Sequence, residues 1–300
     1  MPGNVWVTGS SGFIGSALIR SLAARGMTAR CVTNSQSPCN GAVPADYGSR
    51  ESIRSAVARE GVPDVLFHLG WGDVYEPQSL AHLGENLIGT KTLLETLYES
   101  GLKKAILIGS SSEYGSREGS LSEDDPPIGR LTPYAQGKIQ ACAYGHEAAS
   151  RHGTVFLHIR LFHTLGAGKR ENSLINQLYR AYRSSTALGL SSCEQFRDYI
   201  YLSDAVEGII RISGMDSSET VNLGSGRQIQ LKDLIQRFWV KLGAPPELLR
   251  FGAHERPLHE PVQPLCCANP AKLRRLTGWE PEVAIDEAIS RTIEELRSRN

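Results

Sequence analysis

Apolar and polar positions alternate between two periods along the first third of the chain. Asn4-Val5-Trp6-Val7-Thr8 is a short apolar run that reads as a buried strand. Glycines follow at 9, 12 and 15. Phe13-Ile14, Ala17-Leu18-Ile19 and Leu22-Ala23 then recur at helical spacing as far as Gly26, which suits a C-cap. Residues 28–34 predict a second strand. Lys104-Ala105-Ile106-Leu107-Ile108-Gly109 has the composition of a buried strand running into the hydroxyl cluster Ser110-Ser111-Ser112. A strand end of that kind lies at the carboxyl edge of a parallel sheet, where ligands bind.

Strand, glycine turn and helix are the context of a dinucleotide-binding turn. Gly9 permits the tight turn, Gly12 a close approach of pyrophosphate to backbone, and Gly15 close packing of helix on strand. The helix N-terminus offers free N–H groups and a positive dipole end to phosphates. An acidic residue at the end of the second strand would bond the ribose 2′-hydroxyl of NAD. Thr33 holds that position, followed by Asn34, and Arg30 is near in sequence. This favours NADP(H); NAD(H) held by hydroxyl and amide groups is the alternative.

Tyr134-Ala135-Gln136-Gly137-Lys138 places a phenol and an ammonium on one helical face. An adjacent ammonium lowers a phenol pKa from its usual value of about 10, so the pair predicts general acid–base chemistry at a carbonyl or carbinol oxygen.

Thr8-Gly9-Ser10-Ser11-Gly12-Phe13-Ile14-Gly15 and the Tyr–Lys pair resemble the extended short-chain dehydrogenase/reductase family, in its nucleotide-sugar epimerase, dehydratase and reductase branch. The resemblance spans nearly the whole chain. It implies an α/β fold, a Rossmann-type doubly wound parallel sheet over residues 1–160, with a smaller sugar-nucleotide region over 161–300 that returns some segments to the sheet. It implies that Ser11, Phe13 and Ile14 join the glycines at the cofactor. Asp64 to Gly70 is similar to the family's D-x-V-x-H-L-A strand and brings Leu69 and Gly70 to the adenine and ribose side. His68 reads as a packed structural histidine. Asp46 matches the residue that bonds the adenine amino group, with Tyr47 beside it, and Asn86 matches the N-x-x-G-T helix near the cofactor.

A serine or threonine before Tyr114-Gly115 should orient the reacting oxygen. Counting from Tyr114-Gly115 favours Ser110; counting from the strand favours Ser111. Ser112 and Glu113 fall on the substrate side. Arg160 to Gly168 resembles R-P-F-N-x-x-G-P-G, with Leu161 replacing the proline at the cofactor and His163 replacing an asparagine that contacts substrate. Ser173, Arg197 and Arg256 stand where relatives hold the substrate diphosphate. Guanidinium forks suit phosphate oxygens.

Basic and acidic residues number 32 each, which argues against nucleic acid as the partner. The six cysteines lack C-x-x-C spacing and fit neither a zinc site nor a disulfide framework; reduced thiols in a cytoplasm are the plain reading. No signal peptide is recognised, and no apolar run reaches the ~18 residues of a membrane span. The resemblance implies a homodimer through the helices carrying Asn86 and Tyr134–Lys138.

Among reactions, a 4,6-dehydratase needs an Asp-Glu pair after the catalytic hydroxyl, and the Asp is missing. A 4-epimerase retains NAD, which Thr33 weakens. A 4-keto reductase needs only Ser, Tyr and Lys, and Gly109 to Gly115 looks like the G-S-S-E-E-Y-G of GDP-6-deoxy-mannose reductases. The expectation is therefore reduction of the C4 carbonyl of a nucleotide-linked 4-keto-6-deoxyhexose. A non-catalytic NADP(H)-sensing module is the alternative of another class; turnover separates the two.

Overall fold

The structure, a computed structural model, describes residues 3–33, 42–255 and 266–299. Asn34 and Arg256, both expected at the site, lie outside the described residues. The first half of the chain runs β1 (Val5–Thr8), α1 (Phe13–Ala24), β2 (Ala29–Thr33), β3 (Val43–Pro44), α2 (Arg50–Glu60), β4 (Val65–His68), α3 (Glu85–Glu99), β5 (Lys104–Ile108), β6 (Gly119–Leu121), α4 (Pro133–His152) and β7 (Val155–Leu161). The second half runs β8 (His163–Leu165), α5 (Leu174–Ser184), β9 (Leu188–Gly189), β10 (Phe196–Tyr201), α6 (Leu202–Ser213), β11 (Glu219–Leu223), β12 (Gln228–Gln230), α7 (Leu231–Leu242), β13 (Leu249–Arg250), β14 (Cys266–Ala268), α8 (Ala271–Thr277) and α9 (Ile285–Ser298).

Seven strands form one sheet in the order β11-β7-β5-β4-β1-β2-β3, with every pairing parallel. Such a sheet is covered on both faces, so its strands are apolar throughout rather than alternating. All four residues of β1 and of β4 are buried. Leu18 and Leu22 of α1 and Val206 and Ile209 of α6 pack on one face. Leu93, Leu94 and Leu97 of α3 and Ala141 and Ala148 of α4 pack on the other. Strand order reverses between β1 and β4. That switch point opens a crevice at the carboxyl ends of the strands.

The seventh strand, β11, comes from the second half of the chain. Helices α5, α7 and α9 build a separate apolar cluster around Leu178, Phe238, Trp239 and Ile289, which backs the small sheet β12-β10-β8.

Helix α4 is set by its ends. The Thr132 hydroxyl accepts from the Ala135 N–H at 3.2 Å, Pro133 opens the first turn, and Gly153 closes the helix in the left-handed region at φ 63°. A Cβ on Gly145 would meet the Phe156 ring at 2.1 Å, so only glycine lets α4 approach β7 this closely. This close seating holds Tyr134 and Lys138 against the sheet edge. Among the described residues, no helix is long and apolar enough to cross a membrane.

Candidate active site

A cavity of about 780 Å³ occupies the switch point, within the range of a cofactor site. Gly9, Ser11, Thr33, Asp46, Tyr47, Gly70, Trp71 and Asn86 line it. Gly9 takes φ +65°, and a Cβ there would lie 2.8 Å from the Gly70 nitrogen. The Gly12 N–H donates to the Gly9 carbonyl at 3.0 Å. A Cβ on Gly15 would fall 2.2 Å from the Gly9 carbonyl oxygen. Helix α1 starts after Gly12 with no side-chain cap. Its first-turn N–H groups, from Phe13 and Ile14 onward, therefore remain for an anion. The cradle and cavity fit a dinucleotide. Gly15→Ala is expected to force the turn apart and weaken NADPH binding by about tenfold or more, readable by fluorescence titration.

The walls of the cavity are braced internally. Thr8 Oγ1 accepts from the Gly70 N–H at 2.9 Å and bonds His68 Nδ1 at 2.7 Å, while His68 Nε2 bonds Thr90 Oγ1 at 2.9 Å. Burial and then the Lys138 charge push His68 down to about 3, so it is a neutral strut. Asn86 Oδ1 accepts from the Gly72 N–H at 2.7 Å, and the Tyr47 hydroxyl donates to the Val32 carbonyl at 2.8 Å. Asp46 Oδ1 accepts from the Gly48 N–H at 2.9 Å. Leu69 lies beneath Gly9. Leu161 is buried in the sheet core and does not line this cavity. Arg30 does not serve Thr33: its guanidinium pairs with Glu60 at 2.5 Å, which draws the charge to α2. No lysine or arginine is among the described lining residues.

Ser110 caps the tight turn Ser111–Tyr114, its hydroxyl accepting from the Ser112 N–H at 3.1 Å. The same hydroxyl acts on Tyr134, favouring its ionised form. Of the two serines read from the sequence, Ser110 is thus the one that meets the phenol. Ser111 is buried and Ser112 is exposed.

The expected lowering of the Tyr134 pKa is corrected. Burial, with the negative charge of Glu113 adding to it, pushes the phenol up to about 12 against the pull of the Ser110 hydroxyl. Lys138 does not counter this. Its Nζ donates to the Ile108 carbonyl at 2.8 Å, sits 3.8 Å over the Trp71 ring, and is 5.9 Å from the Tyr134 ring centre. Burial brings the amine down to about 7. In a dry site the cost of charging either group exceeds their attraction.

Glu113 is a second correction. It does not face a substrate: its side chain is fully buried and both oxygens are engaged. Oε1 accepts from the Ser110 N–H at 2.8 Å and lies 3.3 Å from His158 Nε2; Oε2 accepts from Arg160 Nε at 3.1 Å. It braces Ser110 from behind.

Trp71 was not singled out by sequence. It covers Lys138, and its indole N–H donates to His82 Nδ1 at 3.0 Å, while the His82 ring meets the Tyr134 ring edge-on at 5.1 Å. The available signal was an aromatic just past a strand end, at the ligand edge of the sheet. Lys169 was also missed. It lies 5.3 Å over the Phe13 ring, and its charge and that of Arg197 both act on His163. His163 is accessible and packs against Tyr199, whereas Arg197 is buried in β10. Ser173 caps α5 with a buried hydroxyl that has no partner among the described residues.

A parallel sheet with a dinucleotide cradle at its switch point, and a Ser–Tyr–Lys set on the adjoining strand and helix, defines a Rossmann-type nicotinamide-dependent enzyme. Residues 5–224 match the NAD dependent epimerase/dehydratase family, and the chain belongs to it. It is 28% identical to UDP-glucuronate 4-epimerase of Thermodesulfobacterium geofontis over 71% of this chain and 65% of that one. It is 26% identical to UDP-glucose 4-epimerase of Mycolicibacterium smegmatis over 98% of both chains. It is 25% identical to GDP-6-deoxy-D-mannose reductase of Pseudomonas aeruginosa over 100% of this chain and 99% of that one. The fold is similar to that of UDP-glucose 4-epimerase from Thermotoga maritima, with a TM-score of 0.85 at 22% identity over 99% of both chains.

Proposed function

We propose that the protein is an NADP(H)-dependent reductase of the C4 carbonyl of a nucleoside-diphosphate 4-keto-6-deoxyhexose. The observation that carries this reading is the Ser110 hydroxyl acting on Tyr134 beside Lys138, with the Glu113 carboxylate already engaged elsewhere. Ser111 and Ser112 stand where a dehydratase needs its acid and base, and Glu113 is consumed by Ser110, His158 and Arg160. The preference for NADP(H) rests on Thr33, which places no carboxylate against a 2′-phosphate. The bound dinucleotide supplies the hydride.

Tyr134, protonated at neutral pH, delivers a proton to O4, and the Ser110 hydroxyl holds the same oxygen as negative charge develops. The Lys138 ammonium would hold the cofactor ribose. Lys169, Arg197, His163 and the Ser173 hydroxyl take the substrate diphosphate and sugar. Assembly as a cytoplasmic homodimer through α3 and α4 belongs to this reading; Ile88, 59% exposed on α3, offers apolar surface there. Sedimentation velocity reads the assembly.

The test is NADPH oxidation at 340 nm against a panel of nucleotide 4-keto-6-deoxyhexoses. A silent panel, with interconversion of epimers by retained NAD(H), would favour a 4-epimerase instead. The pH profile is a second check. Lys138 carries its proton below about pH 7. The kcat/KM for reduction is therefore expected to be level below that pH and to fall as pH rises through it. A profile flat from about pH 6 to 9 would contradict a role for the ammonium.

A further inference from the structure

Helix α4 carries more chemistry beyond Lys138. Tyr134, Lys138, Cys142 and His146 follow at intervals of four and form one stripe. Cys142 lies toward the edge strand β11, its Sγ 3.7 Å from Thr220 Oγ1, and His146 Nε2 bonds the same hydroxyl at 3.1 Å. His158 of β7 is fully buried and pairs in register with Thr220, the residue that Cys142 and His146 contact, and its Nε2 lies 3.3 Å from Glu113 Oε1. Neither ring nitrogen makes a hydrogen bond among the described residues. Beyond Glu113 stand Arg160 and the Ser110 N–H. Thiol, imidazole, carboxylate and guanidinium thus form one row of alternating charge that ends at the serine acting on Tyr134.

We propose that Cys142 is a peroxide-oxidisable thiol whose state reaches the active site through His158 and Glu113. Burial opposes the thiolate, but His158 and His146 outweigh it and bring the thiol down to about 6. Burial likewise opposes the imidazolium, but Glu113 and Cys142 hold His158 up to about 9. A thiolate paired with an imidazolium is the reactive form of cysteine. Cys142 is half-buried, whereas Cys31, Cys193, Cys266 and Cys267 are buried.

The Cys142 thiolate attacks one oxygen of a hydroperoxide. The S–O bond forms, the O–O bond breaks, and the departing hydroxide takes the His158 proton and leaves as water. Sulfur is oxidised by two electrons to the sulfenic acid, and the peroxide is reduced. Thr220 is placed to hydrogen-bond the peroxide. His158 is then neutral, and Glu113 has lost a countercharge next to Ser110.

The full-length protein is treated with hydrogen peroxide and dimedone, and label at each of the six cysteines is quantified by peptide mass spectrometry. Cys142 is expected to react at least about tenfold faster than the four buried cysteines. In a parallel iodoacetamide series, its rate falls about twofold from pH 8.5 to pH 6, where an ordinary thiol falls by about two orders of magnitude. Peroxide lowers turnover of the natural protein, dithiothreitol restores it, and Cys142→Ser keeps its turnover throughout. Uniform labelling, or an ordinary pH profile at Cys142, overturns the thiol site. Selective labelling with turnover untouched overturns its link to the active site. The turnover arm rests on the reductase reading. The labelling arms need no sugar, so they decide the thiol site even if that reading fails.

Discussion

Tyr134→Phe is expected to lower kcat by about 10²–10⁴-fold and to leave NADPH affinity nearly unchanged. In the proposed reaction the phenol hydroxyl is the acid at O4, while the ring itself packs edge-on against His82 at 5.1 Å. Removing one oxygen therefore removes proton delivery without removing the wall it belongs to. Steady-state kinetics and a binding titration on the same preparation check both halves. A variant that turned over at the natural rate would dismiss Tyr134 as the acid.

Glu113→Gln is expected to cost about 3–5 kcal/mol of stability, because it strands buried positive charge. His158 has a fully buried side chain and Arg160 is 17% exposed, and both lean on this carboxylate. The pH dependence gives the sign. The pKa of His158 is raised in the fold to about 9, so its contribution is complete below its ordinary value near 6.5 and is lost as pH rises through about 9. Glu113 is held below the usual carboxylate range: burial opposes ionisation, but His158 and Arg160 outweigh it. Its contribution is therefore complete above its ordinary value near 4.5 and is lost as pH falls through its lowered one. Urea unfolding across this range is expected to show both limbs in the natural protein and to lose them in the variant. A loss under about 1 kcal/mol would contradict the burial of this pair.

The glycine turn was legible because each residue answers a local steric demand. Gly9 must take a positive φ, and Gly15 must clear the Gly9 carbonyl. Tyr134 and Lys138 were legible because helical period places them together. What could not be read depends on packing between distant segments. Which serine meets Tyr134 is decided by the cap at Ser110, not by counting from either end of the motif. Glu113 reads as a substrate-side residue until β7 sets Arg160 and His158 against it. The Tyr–Lys spacing gave no hint of the electrostatics, because Trp71 arrives from the β4 edge to cover Lys138 and exclude water. Arg30 was near Thr33 in sequence, yet α2 claims it through Glu60.

The most direct measurement combines the purified protein, NADPH and a nucleotide 4-keto-6-deoxyhexose, following 340 nm absorbance and the sugar product by mass spectrometry together. The expected result is one NADPH consumed for each sugar that gains two hydrogens. Sugar interconversion with no net NADPH loss, on a dinucleotide that stays bound and does not exchange, would contradict it.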